Sequence, residues 1–186
     1  WENKLTSLPN WLIELKRLTF LDISDNRFSV FPEVLTRMTL SELDLSTNNI
    51  TEVSNQIGEC FSIKDLDLSS NKLKSLPTTI SQLTQLTTLD LSENKLTILP
   101  PSFEEMRCIE SLCLDDNQIT TLPMGMNDWD QLKFFSIDNN PVRSNPNEFP
   151  VRLQTLAENA RWSPFLIWLL CFPVLAVLMI FVFLMT

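Results

Sequence analysis

The stretch LTTLDLSENKLTILP, residues 86–100, decides the fold, because its pattern recurs along most of the chain. Leu89 and Leu91 stand two residues apart, so they lie on one side of a short predicted strand and turn towards the core. Asn94 follows the strand where the chain must bend, and we expect its amide to satisfy backbone groups that the turn leaves unpaired. Copies of this unit would stack their strands into a parallel sheet.

Asparagines recur at intervals of 22 or 23 residues and define the repeat. A period of this length indicates one supersecondary unit that is copied and stacked into a solenoid. In most repeats a proline follows the asparagine after six residues, and apolar residues follow after nine and twelve, which is the spacing of a helical or 3₁₀ turn. We predict an α/β solenoid over residues 1–146, in which the first repeat is incomplete. Its structural asparagine ladder comprises Asn26, Asn48, Asn71, Asn94, Asn117 and Asn140.

Two departures from the pattern fall in the same part of the chain. The unit between Asn26 and Asn48 is one residue shorter than the others, and Ser54 occupies the position that proline has in the other repeats. We therefore expect a local irregularity on the convex side of the solenoid, opposite the sheet.

The consensus Leu-x-x-Leu-x-Leu-x-x-Asn-x-Leu-x-x-Leu-Pro-x-x-Ile-x-x-Leu resembles the leucine-rich repeat of about 23 residues. The Leu-Pro pair in nearly every copy is most similar to the intracellular Ras-group and scribble-like members of that family. This resemblance implies a horseshoe whose parallel sheet forms the concave face, and a recognition scaffold whose partner differs from one member to the next. A small GTPase or one of its regulators is one partner class among several that it suggests.

The concave face carries the candidate binding site, because strand residues between the leucines point away from the core. Aspartate occupies the position between the last two leucines in four successive repeats, so four carboxylates would stack about 4.8 Å apart. Stacked like charges repel, which favours a protein partner with a basic surface. Phe20 and Phe134 add outward-facing aromatic side chains, a type that often dominates binding energy. In the alternative interpretation of these two residues, further upstream repeats or the C-terminal segment cover them. The predicted docking set comprises Phe20, Asp22, Glu42, Asp44, Asp65, Asp67, Asp90, Glu93, Asp115, Phe134 and Asp138. In the alternative interpretation, aspartates and serines only hydrogen-bond along the strands in water.

Composition argues against several classes of function. The net charge of −9 disfavours nucleic acid as the partner, because nucleic-acid binding needs concentrated lysine and arginine. The chain has no histidine and only two glycines, which removes the usual general base and leaves no phosphate-cradling loop. Its four cysteines form no CxxC pair, as expected in a reducing compartment. We therefore predict a protein that is not an enzyme and that uses no cofactor or metal.

The C-terminal part of the sequence predicts a membrane anchor. Residues 165–185 contain no charged side chain, and as a helix they would be about 31 Å long, close to the hydrocarbon thickness of a bilayer. Between the repeats and this predicted transmembrane helix, residues 147–164 would provide a capping helix and a juxtamembrane linker. Single-pass anchoring in the lipid bilayer through residues 165–185 is the resulting prediction.

The charges around the predicted span indicate its orientation. Arg143, Arg152 and Arg161 precede it and no charged residue follows, so the positive-inside rule places the repeats in the cytosol. This arrangement describes a tail-anchored scaffold, for which we favour the endoplasmic reticulum or secretory membranes. The alternative is an extracellular adhesion or receptor ectodomain, for which the formal glycosylation sequon Asn49-Ile50-Thr51 would be a weak indication.

Overall fold

The computed structural model describes residues 3–144, 153 and 155–158. Within this part of the chain, one short strand from each repeat joins a six-stranded parallel sheet in sequence order, which confirms the predicted solenoid. Each strand pairs with the next without any shift in register, so equivalent residues of successive repeats lie side by side. The strands are β1 (Phe20–Asp22), β2 (Glu42–Asp44), β3 (Asp65–Asp67), β4 (Thr88–Asp90), β5 (Ser111–Cys113) and β6 (Phe134–Ser136).

Short 3₁₀ segments form the side of the solenoid opposite the sheet. Most of them begin directly after the repeat's proline, whose backbone is extended and which cannot donate to a strand. A segment of five residues is too short for a stable α-helix but suits the tighter 3₁₀ turn. The segments within the described residues are Asn10–Glu14, Glu33–Arg37, Asn55–Glu59, Thr78–Gln82, Pro101–Glu105, Met124–Asp128 and Pro141–Ser144.

The hydrophobic core lies between the sheet and the 3₁₀ segments and runs along the whole described solenoid. Leucines at the middle of the strands close it on one side, as Leu66 and Leu89 show with 1% exposure each. On the other side the rings of Phe103 and Trp129 lie 5.6 Å apart, and the Trp129 indole donates to the Glu104 carbonyl oxygen at 3.1 Å. The core is therefore repeated in each unit rather than gathered at one centre.

The asparagine ladder links each repeat to the one before it. The Asn48 amide nitrogen donates to the carbonyls of Leu45 and Ser46 in its own repeat, at 3.0 and 3.1 Å. It also donates to the Ile23 carbonyl in the preceding repeat at 3.1 Å, and its oxygen accepts from the Phe28 N–H at 3.0 Å. The same arrangement recurs at Asn71, Asn94, Asn117 and Asn140. These bonds satisfy backbone groups that a bend would otherwise leave unpaired inside an apolar core.

The residue immediately before each ladder asparagine has a left-handed backbone. Its φ lies between 51° and 58° in every repeat, although none of these residues is glycine. The conformation turns the N–H towards the next repeat, where the Thr47 N–H, for example, donates to the Ser69 carbonyl at 3.0 Å. Since a β-branched side chain tolerates this region poorly, Thr47 is the most strained member of the set. The positions are Asp25, Thr47, Ser70, Glu93, Asp116 and Asn139.

The expected irregularity on the convex side is present at Met38. This residue ends its 3₁₀ segment with an extended backbone, φ −106° and ψ 159°, whereas the equivalent Cys60 has φ −83° and ψ 50°. The shorter repeat thus reaches the next strand by straightening one residue. Ser54, by contrast, keeps almost the same backbone as Pro77, so the missing proline does not alter the chain path.

At the C-terminal end, residues 155–158 are helical. Leu153 and Ala157 are 0% and 2% exposed and belong to the core, where they contribute apolar surface beyond the last repeat. Most of the predicted linker, and all of the predicted transmembrane segment 165–185, lie outside the described residues. No helix among the described residues has both the length and the apolar character needed to cross a membrane.

Candidate functional site

The outer face of the sheet, turned away from the core and here called the concave face, carries two columns of side chains. The in-register pairing aligns the third residue of every strand, which places four aspartates side by side on β1 to β4. We call Asp22, Asp44, Asp67 and Asp90 the acidic column. The first residues of the strands form a neighbouring column of Phe20, Glu42, Asp65, Thr88, Ser111 and Phe134.

Exposure falls steadily along the acidic column. Asp22 is exposed and Asp44 is half-buried, whereas Asp67 and Asp90 are only 8% and 6% exposed. The neighbouring column shows the same trend, because Phe20 is 46% exposed and Phe134 is 6% exposed. The concave face therefore has an open half on β1–β3 and a closed half on β4–β6, where every strand residue is buried.

This division corrects the prediction that Phe134 offers an exposed aromatic side chain. Phe134 lies in the closed half at 6% exposure, beside the buried Ser111 with which it is in register, so it offers little surface to a partner in this structure. Phe20, at the equivalent position on β1, remains exposed beside the half-buried Glu42 with which it is in register. The usable aromatic side chain is thus confined to the open half.

Each aspartate of the acidic column is held by the serine two residues later. One oxygen of Asp44 accepts from the Ser46 N–H at 2.8 Å, and Asp67 accepts from the Ser69 N–H at the same distance. Asp90 accepts from both the N–H and the hydroxyl of Ser92, at 2.8 and 2.6 Å. These local bonds hold the carboxylates in place at the ends of the strands. They agree with one part of the alternative interpretation, in which aspartates and serines hydrogen-bond to each other. The bonds use one oxygen of each carboxylate.

Asp67 has an additional property that the sequence did not reveal. Its second oxygen, Oδ2, is buried without a hydrogen-bond partner among the described residues. Burial, together with the neighbouring Asp90 and Asp44 carboxylates, raises the pKa of the Asp67 carboxyl to about 8. Burial likewise raises the pKa of Asp44 and of Asp90, against the lowering effect of their serine partners. The carboxyl groups of Asp44, Asp67 and Asp90, in the middle of the column, are therefore harder to ionise than those of free aspartates.

Beyond β4 the acids continue two residues later in the chain. Cys113 and Ser136 occupy the column on β5 and β6, and Asp115 and Asp138 follow them. The Ser136 hydroxyl donates to Asp115 at 2.6 Å, and burial raises the pKa of the Asp115 carboxyl. Arg143 forms an ion pair with Asp138 at 2.8 Å. We call the four column aspartates together with Asp115 and Asp138 the acidic stripe.

The remaining charged residues of the predicted set lie beside the stripe. Asp65 is half-buried in the open half, and Glu93 is exposed at a left-handed turn, where it accepts from the Ser70 hydroxyl at 2.9 Å. Lys133 is paired with Glu110 at 2.6 Å. Among the described residues, no group of three or more cysteine, aspartate or glutamate side chains is arranged to hold a metal ion.

Comparison with known proteins agrees with the repeat architecture. A family model described as a leucine-rich repeat region matches residues 38–158, and a leucine rich repeat model matches residues 17–38. A leucine-rich-repeat protein of Leptospira interrogans has a structure that is similar with a TM-score of 0.61 and 31% identity, covering 84% of this chain and 45% of that one. An internalin of Listeria monocytogenes shares the fold with a TM-score of 0.62 and 20% identity, covering 72% of this chain and 39% of that one. The chain spans less than half the length of either protein. Because the first model alone matches most of its residues, the chain belongs to the leucine-rich repeat family.

Proposed function

We propose that this protein is a membrane-anchored scaffold that docks a protein partner on the concave face of its repeats. The observation that carries the proposal is the open half of that face. There an exposed aromatic side chain, Phe20, lies beside Glu42 on the next strand, and Asp65 follows Glu42 on the strand after that. Asp22 is on the same strand as Phe20. An apolar anchor within a charged rim is the usual composition of a protein interface.

The negative charge of the open half favours a protein partner with a basic surface. Besides the buried Asp67, the open half carries four acidic residues, Asp22, Glu42, Asp44 and Asp65, and Lys64 is the lysine nearest to them in sequence. A partner with arginine or lysine on its surface would relieve the repulsion between these stacked carboxylates and gain contacts with them. Small GTPases and their regulators are one class to include among the candidates.

Charge reversal in the open half should abolish partner binding without unfolding the repeats. The variant is Asp22→Lys, Glu42→Lys and Asp65→Lys, which avoids placing an ammonium group at the buried Asp67 or Asp90. We expect proteins captured by the wild type to be lost by at least about tenfold, since rim charges of the wrong sign oppose association. Quantitative affinity capture followed by mass spectrometry measures this loss.

The matched control carries the same charge change on the opposite side. Glu14→Lys, Glu59→Lys and Glu105→Lys alter the exposed last residues of three 3₁₀ segments. This variant should capture the same proteins as the wild type. If both triple variants lose the same proteins equally, net charge rather than the concave face governs binding, and the docking site is wrong.

The proposed anchor places the repeats on the cytosolic side of a membrane of the endoplasmic reticulum or secretory pathway. The support is the uncharged run 165–185 and the arginines that precede it, Arg143, Arg152 and Arg161. Translation with microsomes and a C-terminal glycosylation tag tests the topology. We expect glycan on the tag and none on Asn49. Glycan on Asn49 without glycan on the tag would place the repeats in the lumen and support a receptor ectodomain instead.

A further inference from the structure

Asp67 differs from the other aspartates of the acidic column because one of its buried carboxyl oxygens has no hydrogen-bond donor within the described part of the chain. It is buried between two further aspartates, Asp44 on β2 and Asp90 on β4, and its Oδ2 oxygen has no hydrogen-bond donor among the described residues. A buried acceptor without a donor destabilises the folded state, and it does so more strongly when it is charged. The structure therefore contains a carboxylate whose unfilled hydrogen-bonding capacity faces a group of other acceptors.

A cationic donor suits this site better than a neutral one, because it also offsets the repulsion among the neighbouring acids Asp44, Asp67 and Asp90. Carboxylates on neighbouring strands lie about 4.8 Å apart, a separation that one planar group with several N–H donors can span. A guanidinium presents its donors in a fixed fork and is more weakly hydrated than an ammonium, so it loses less on entering a buried site. A metal ion is not indicated, since no group of the described carboxylates is arranged to hold one.

We propose that an arginine side chain of the partner inserts over β3 and donates to Asp67 and to one of its neighbours, Asp44 or Asp90. This inference rests on the proposed docking face and names its central contact. The arginine would approach across the open half, because Asp44 and Asp65 beside Asp67 are half-buried while the strands beyond are closed. Because Asp67 is only 8% exposed, its carboxyl would turn outwards at the border between the open and closed halves to meet the arginine.

Insertion of the arginine should release a proton. The groups that act on Asp67 are Asp90 and Asp44, both acidic, and together with burial they keep its pKa near 8, so the carboxyl holds a proton at pH 7. A guanidinium at hydrogen-bond distance stabilises the ionised form and lowers that pKa, so the proton leaves when the arginine binds.

Calorimetry with acetyl-tetraarginine amide tests this contact directly. At pH 7 the apparent binding enthalpy is compared in phosphate and in Tris, which differ in their ionisation enthalpy, so that the difference gives the number of protons released. We expect the wild type to release about one proton per peptide and to bind tetraarginine about tenfold more tightly than tetralysine. Asp67→Asn should release none and bind tetraarginine about tenfold more weakly.

Asp22→Asn is the matched control, because it makes the same change of charge in the same column at an exposed position. It should retain proton release and lose no more than about threefold in affinity, the effect of one screened surface charge. Equal losses in both variants without proton release would overturn the arginine site but leave the docking face in place. Absence of tetraarginine binding to the wild type would also overturn it, while partner capture by the charge-reversal variants decides the docking face separately.

Discussion

Asn48→Ala is expected to lower the free energy of unfolding by about 3–4 kcal/mol, one of the largest effects available in this chain. The reason is specific. The Leu45 carbonyl keeps a donor, because Asn71 also donates to it at 3.0 Å, and the Ile23 carbonyl keeps its bond from Asn26. The buried Phe28 N–H, whose acceptor is the Asn48 oxygen, is left unpaired, and the variant also loses the remaining amide bonds.

Asn49→Ala provides the comparison at the adjacent position. The Asn49 side chain accepts an exposed hydrogen bond from the Lys72 ammonium at 2.6 Å and lies outside the core. Its loss should cost less than about 0.5 kcal/mol. Chemical denaturation of both variants, followed by circular dichroism, measures the difference. Similar values for the two variants would mean that the asparagine ladder does not stabilise the solenoid through its hydrogen bonds.

Asp67→Asn is expected to stabilise the protein at pH 8 and to flatten its dependence on pH. The folded pKa of Asp67 is about 8, above its ordinary value of 3.8, so the folded state holds this proton more tightly than the unfolded state does. The stabilising contribution of the proton is complete below about pH 4 and is lost as the pH rises towards 8. Since each unit of pKa difference corresponds to about 1.4 kcal/mol, we expect a gain of at least about 2 kcal/mol at pH 8 from the substitution.

Denaturation of the wild type and of Asp67→Asn between pH 5 and pH 9 measures this effect. An asparagine at position 67 can still accept from the Ser69 N–H and can also donate to a neighbouring carboxylate. The Asp22→Asn variant, changed at the exposed end of the column, should follow the wild-type profile. Parallel stability profiles of the wild type and Asp67→Asn between pH 5 and pH 8 would contradict the raised pKa and show that Asp67 is ionised in the folded protein.

The repeat architecture could be predicted from the sequence because local rules and the period agree. The Leu-x-Leu spacing correctly placed Leu89 and Leu91 towards the core and Asp90 on the opposite face. The proline and the apolar spacing after it correctly indicated a short turn, and the missing residue correctly indicated an irregularity, which is found at Met38. Each of these features depends on backbone geometry within one unit or between neighbouring units.

Exposure on the concave face could not be predicted in the same way. The segments Leu-Asp-Ile-Ser around Asp22 and Leu-Asp-Leu-Ser around Asp90 are almost identical. Asp22 is nevertheless exposed, whereas Asp90 is buried at 6% exposure. Phe20 and Phe134 share a column and differ in the same direction. Burial on this face depends on position along the solenoid, which a local pattern does not encode. The unpaired Asp67 oxygen follows from that burial and was therefore missed.

The direction of the ladder bonds has a consequence for how damage spreads. Each asparagine amide supports backbone groups of the repeat before it, as Asn48 does for Phe28 and Asn71 for Ile50. A lesion at one ladder position should therefore loosen the upstream unit first, where hydrogen exchange at the released N–H would accelerate before exchange further downstream. Loosening caused by damage at a ladder position is therefore expected to extend towards the N-terminal side of the solenoid, which is the side of the open half of the concave face.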